Sequence, residues 1–157
     1  MLLIDKTTII CATYERHKQL KRSWEFYSKT NIKVIYFDGS RNKFKTLENP
    51  NNNITYLHGK KSYLERIKAM IELVETPYIC LMDDEDIFLP ESICECTKYL
   101  EEHKDYVSCI GNFLDISKVF NTIKLDLPNN SFENNDLSEE DFRKRLKKHF
   151  NNYFTRC

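Results

Sequence analysis

The sequence predicts an α/β fold, a mainly parallel sheet flanked by helices. Short apolar, β-branched runs alternate with stretches of helical periodicity, and several of these runs end in polar or acidic turns, the pattern of strand-helix-strand units. The 157 residues are 41% hydrophobic and 31% charged, a balance that lets one domain bury a core without staples.

Thr7-Thr8-Ile9-Ile10-Cys11-Ala12 reads as a first strand buried on both faces. After the polar segment Thr13 to Arg16, Leu20, Trp24 and Tyr27 recur at helical spacing to about Lys29. Lys33 to Phe37 gives a second strand, ended by Asp38-Gly39-Ser40, where glycine suits a turn. The Asn- and Lys-rich stretch 41–53 is a loop, and Ile54 to Leu57 a short third strand. From Ser62 to Val74 the stripe Leu64, Ile67, Ile71 and Val74 predicts a helix packed on the sheet. Tyr78 to Met82, bounded upstream by Thr76-Pro77, is expected to be a buried fourth strand. Pro90 opens a helix in its favoured first-turn position, with Ile93, Thr97 and Leu100 on one side. Tyr106 to Gly111 follows as a fifth strand.

Residues 1–115 therefore form the expected core, and 116–157 a C-terminal extension. Val119 to Leu127 suits an edge strand, and 129–135 a loop. Ser138 starts a helix with an acidic first turn, in which Phe142, Leu146, Phe150 and Tyr153 oppose Arg143, Lys144, Arg145, Lys147 and Lys148. Such a basic amphipathic helix can touch an anionic membrane surface, and packing on its own domain is the competing use.

Composition narrows the partners. Lys+Arg and Asp+Glu are both 24, so nothing draws the whole chain to nucleic acid, and any phosphate must be met locally. No run approaches the ~20 apolar residues of a transmembrane segment, and Asp5 and Lys6 interrupt the N-terminus too soon for a secretory signal. Of the six cysteines, Cys11, Cys80 and Cys109 lie in apolar runs, and Cys94 and Cys96 lack any zinc-ligand spacing. A reduced, cytoplasmic protein is expected.

The chemistry concentrates at Asp83-Asp84-Glu85-Asp86, four consecutive carboxylates after an apolar strand. Their mutual repulsion calls for a cation. Asp84 and Asp86, spaced i, i+2, suit Mg2+ or Mn2+, which bind one or two carboxylates together with substrate phosphates. A solvated acidic turn, or carboxylates at the N-terminus of the Pro90 helix, is the competing reading. Parallel α/β sheets bind ligands beyond the carboxyl ends of their strands, and Ala12 to Glu15, Asp38 and Asp83 to Asp86 all fall there.

Taken together, Thr8 to Arg16, Asp38-Gly39-Ser40, Arg66 and Tyr78 to Asp86 resemble family 2 glycosyltransferases of the GT-A fold, over about residues 7 to 113. The resemblance implies a Rossmann-like GT-A core that moves a sugar from a nucleotide-diphospho-sugar donor to a glycan or lipid-linked acceptor, with inversion. It places Ala12, Thr13, Tyr14 and Asp38 around the nucleoside and Arg66 near the diphosphate, with Asp84-Glu85-Asp86 as the D-x-D motif that holds Mn2+ or Mg2+. Tyr14 could otherwise pack locally, Asp38 stabilise its turn, and Arg66 pair with Glu65 or Glu72. Ala12 and Glu15 stand where the family often has Pro and Asn. Beyond the motif, Asp126, Glu133, Asp136, Glu139 and Glu140 carry no pattern that singles out a catalytic base, and 116–157 would correspond to a truncated acceptor half. The alternative function is a module of the same descent that binds a nucleotide-sugar or a partner without chemistry.

Overall fold

The computed structural model describes residues 3–111, 114–119 and 122–126. They fall into two compact units that divide after Lys104. The first is α/β. A short 3-10 turn, Leu3–Lys6, leads into β1 (Thr7–Thr13), followed by α1 (His17–Tyr27), β2 (Lys33–Asp38), β3 (Ile54–His58), α2 (Tyr63–Ile71), β4 (Tyr78–Leu81) and α3 (Pro90–Glu102). The four strands form one all-parallel sheet in the order β3-β2-β1-β4.

Alternation along β1 feeds two cores. Ile9 and Cys11 join Val34 and Tyr36 against Leu20, Trp24 and Tyr27 of α1 and Ile93 of α3. Ile10 joins Ile35 and Phe37 against Met70 of α2, with Ala12 and Ile67 beside them. Because both faces are covered, the strand reads as a continuous apolar run rather than as an alternating one. Pro90 occupies the start of α3 as expected, and Ile93 and Thr97 face inward.

Three expectations change. The fourth strand is an edge strand, buried on one face only, with Ile79 and Leu81 44% and 55% exposed. Its apolar composition does not reveal that no further strand pairs with it among the described residues. Along α2 the inward face is also rotated from the sequence reading. Leu64 and Ile71 face solvent, while Arg66 and Met70, four apart, are buried. The phase is set at the N-terminus by a capping box, in which the Ser62 amide donates to Glu65 Oε2 at 2.8 Å and the Glu65 amide to Ser62 Oγ at 3.4 Å. Finally, 106–111 form no strand, and Val107 and Ile110 are exposed, because β propensity alone supplies no ladder partner.

In the second unit β5 (Asp115–Val119) and β6 (Thr122–Asp126) pair as an antiparallel hairpin, so the strand expected near 119–127 does form. The expected loop at 129–135, the helix from Ser138, and Glu133, Asp136, Glu139 and Glu140 lie outside the described residues. No helix among the described residues is long and apolar enough to cross a membrane.

Candidate functional site at the carboxyl ends of the strands

Thr13, the last residue of β1, ties the site together. Its carbonyl accepts the Gly39 amide at 2.9 Å and also Nη1 of Arg66, and its hydroxyl donates to Asp84 Oδ2 at 2.8 Å. A central strand thus joins the turn after β2, the inner face of α2 and the acidic turn after β4. Arg66 and Asp84, read with Thr13 as candidates from three separate stretches of sequence, each bond directly to Thr13.

Arg66 is 7% exposed and forms no ion pair among the described residues. Glu65, one competing partner, is occupied by the Ser62 cap. The Arg66 Nε is buried without a hydrogen-bond partner, and the Tyr63 ring centroid lies 6.0 Å from Cζ. A buried cation with an unused donor is costly unless an anion completes it. Gly39 makes room for the guanidinium: a Cβ there would sit 2.9 Å from Nη1. Glycine serves close approach here and not backbone conformation, since no glycine among the described residues takes a positive φ.

The loop after β1 is clasped to the loop after β2. Glu15 adopts the left-handed region at φ 55, a conformation that an L residue holds at a cost of order 1 kcal/mol. Its amide donates to Ser40 Oγ at 2.7 Å, and its carboxylate accepts the Arg41 amide at 2.8 Å. These bonds turn the Glu15 carboxylate toward the Arg41 backbone, and Tyr14, beside it, keeps a half-exposed ring.

Asp38, at the end of β2, is wholly buried. Oδ1 accepts the Ser40 amide at 2.8 Å, and Oδ2 accepts Tyr56 OH at 2.8 Å and faces His17 Nε2 at 3.1 Å. Burial alone would raise its pKa, but the Ser40 and Tyr56 hydrogen bonds and the His17 ring outweigh it and hold the carboxyl below its usual range. The Ala12 side chain packs with Ile10 and Met70 in the core, so only its backbone is offered to a ligand.

At the acidic turn, Asp84 Oδ1 lies 3.7 Å from Arg16 Nη1, which also meets Glu85 Oε2 at 2.9 Å; Arg22 donates to the Glu85 carbonyl. Asp86 is exposed, and its amide donates to the Asp83 carbonyl at 3.1 Å. Although the residue is exposed overall, desolvation of its carboxyl and then the Asp83 and Glu85 charges push its pKa up, against Arg22. No cluster of three or more His, Cys, Asp or Glu side chains arranged for a metal occurs among the described residues. Two carboxylates suit a hard cation that completes its shell with phosphate oxygens and water.

His17 and Tyr56 carry no sequence signal. They lie on α1 and β3, 21 and 18 residues from Asp38; β3 pairs with β2 so that Tyr56 stands opposite Tyr36, two residues before Asp38, and its hydroxyl reaches the carboxylate. Comparison with protein-family models and with curated proteins finds no match for the chain.

Proposed function

We propose that this protein is a GT-A-type glycosyltransferase that binds a nucleotide-diphospho-sugar at the carboxyl ends of β1, β2 and β4 and passes the sugar to a glycan or lipid-linked acceptor. One observation carries the reading: the buried Arg66 guanidinium, bonded to the Thr13 carbonyl beside Gly39, is a cation with no anionic partner among the described residues. A planar guanidinium matches the oxygens of a diphosphate. Asp84, bonded to the Thr13 hydroxyl, and Asp86 of the same turn would hold Mn2+ or Mg2+. When bound, the ion supplies a Lewis acid that neutralises the departing nucleoside diphosphate. The chain's own residues do the rest. Arg66 orients the diphosphate, the Thr13 hydroxyl fixes the rotamer of Asp84, and Tyr14 offers a ring face to the base.

Binding of a nucleoside diphosphate to the full chain, followed by calorimetry, is expected to require Mn2+ or Mg2+. Metal-independent binding, or none with any nucleoside diphosphate, would overturn the reading. Desolvation and like-charge repulsion make a further difference visible without ligand. Since the pKa of Asp86 is raised in the folded chain, its ionised form opposes folding at neutral pH, and Asp86→Asn is expected to stabilise the metal-free protein by about 0.5 kcal/mol after solvent screening. The same variant loses the upward shift in melting temperature that Mn2+ with nucleoside diphosphate gives the parent. An undiminished shift would remove Asp86 from the metal site.

Gly39→Ala separates the guanidinium's position from the fold. The three atoms nearest the new methyl all belong to the end of the Arg66 side chain, which can move, so the stability cost is expected to be about 1 kcal/mol. Diphosphate affinity falls about tenfold, because the displaced guanidinium loses aligned, charge-assisted bonds. Unchanged affinity would show that Arg66 does not meet the ligand.

A further inference from the structure

We propose that His17, rather than Asp38, is the residue that touches the nucleobase, and that it selects bases offering a ring N–H, uracil or guanine, over cytosine or adenine. The inference rests on the nucleotide-binding reading above and names the base class of that same site. Asp38 cannot make the contact itself. It has no accessible surface, and the Ser40 amide, Tyr56 hydroxyl and His17 ring already engage both oxygens. The carboxylate instead serves as a fixed anchor for the imidazole, whose side chain keeps 36% of its surface exposed.

That anchor settles the tautomer. An ionised carboxylate only accepts, so Nε2, 3.1 Å from Asp38 Oδ2, carries the hydrogen. In the neutral ring Nδ1 is then an acceptor. The ring is also held in place by Phe44, whose centroid lies 5.5 Å away, and Phe44 donates its amide to Tyr56 OH at 3.0 Å. In its neutral form, an imidazole fixed on two sides by a buried carboxylate and an aromatic ring is a preorganised hydrogen-bond acceptor. Three residues earlier, the half-exposed Tyr14 ring is available for stacking.

Uracil and guanine carry a hydrogen on the ring nitrogen of the pairing edge, where cytosine and adenine carry a lone pair. Against Nδ1 the first pair gains a hydrogen bond, and the second sets two acceptors against each other. A site built around one polar atom discriminates strongly against the analogue that leaves it unmatched.

The test titrates the full chain, in Mn2+, with UDP, CDP, GDP and ADP by calorimetry. UDP is expected to bind at least about tenfold more tightly than CDP, and GDP than ADP. In His17→Phe, which keeps a ring but no acceptor, each pair is expected to fall within about threefold. A second reading uses the parent protein alone: on saturation with UDP, the His17 Nδ1 resonance in 15N spectra is expected to move while Nε2 keeps its proton. Equal affinities for UDP and CDP, a preference that survives in His17→Phe, or an unmoved Nδ1 in a chain that binds UDP would each overturn this inference and leave the nucleotide site standing. Failure of all four nucleotides to bind would overturn both.

Discussion

Arg66→Met is expected to give a protein as stable as the parent, or about 1–2 kcal/mol more stable, whose affinity for Mn2+-nucleoside diphosphate is lower by about a hundredfold. The two effects share one cause. Among the described residues Arg66 donates to the Thr13 carbonyl, leaves Nε without a partner and forms no ion pair, so its charge is desolvated with little return. Methionine fills a similar length beside Tyr63 and Met70 and brings no charge to desolvate. What is lost is the Thr13 bond, worth about 1 kcal/mol, and the whole of the guanidinium's attraction for phosphate oxygens. Two charge-assisted bonds at about 1.5 kcal/mol each account for the hundredfold. Denaturant unfolding and calorimetry on one preparation read both quantities. A variant that loses several kcal/mol of stability but binds as the parent does would make Arg66 a structural residue and take away the chief support for a diphosphate site.

Such a trade between stability and binding is expected where a site stores cost in the unliganded fold. The same logic covers Glu15, an L residue with positive φ in a loop whose conformation the Ser40 and Arg41 bonds determine, and Asp86, whose ionised form its neighbours oppose. Glu15 and Arg66 adjoin the carboxyl end of β1, and Asp86 lies in the turn after its neighbour β4. Clustered local conflict in an otherwise consistent sequence marks a functional region more often than a structural one.

Much of this was legible in the sequence because it is local. The run Thr7 to Ala12 has the composition of a doubly covered strand, and Pro90 marks a helix start. Asp84 announces itself by its neighbours in the chain. What escaped the sequence depends on contacts between distant elements. Whether Tyr78 to Leu81 is central or at an edge is decided by its pairing partners, and its apolar residues look the same in either place. The phase of α2 is set at its cap, so a stripe drawn through Leu64 and Ile71 missed the inward turn of Arg66. Asp38 stands at the carboxyl end of its strand as the pattern required. That it is sealed beneath Tyr56 and His17 follows from β3 and α1 together, and no local window contains all three.

Asp38→Asn is expected to reverse the base preference. Asparagine keeps the shape of the side chain but must place one oxygen and one NH2. The Ser40 amide, 2.8 Å from Oδ1, requires an acceptor there, so the NH2 takes the place of Oδ2. It then faces the Tyr56 hydroxyl oxygen, which can accept a second hydrogen bond, and His17 Nε2, which must give up its hydrogen to accept. The imidazole therefore switches tautomer, Nδ1 becomes the donor, and CDP is expected to bind more tightly than UDP by about tenfold. The exchange costs the fold about 2–4 kcal/mol, because a charge-assisted network becomes neutral and the Tyr56 proton loses its acceptor. Acid sensitivity changes with it. In the parent, the Asp38 pKa is depressed on folding, so its stabilisation is complete above the ordinary value of 3.8 and is lost as pH falls below that. The asparagine variant lacks this step, and its unfolding free energy is expected to vary less steeply with pH in that acid range. A variant that folds, shows the flatter acid profile and still prefers UDP would separate the buried carboxylate from base selection, and the reading head would have to be sought in Tyr14 instead.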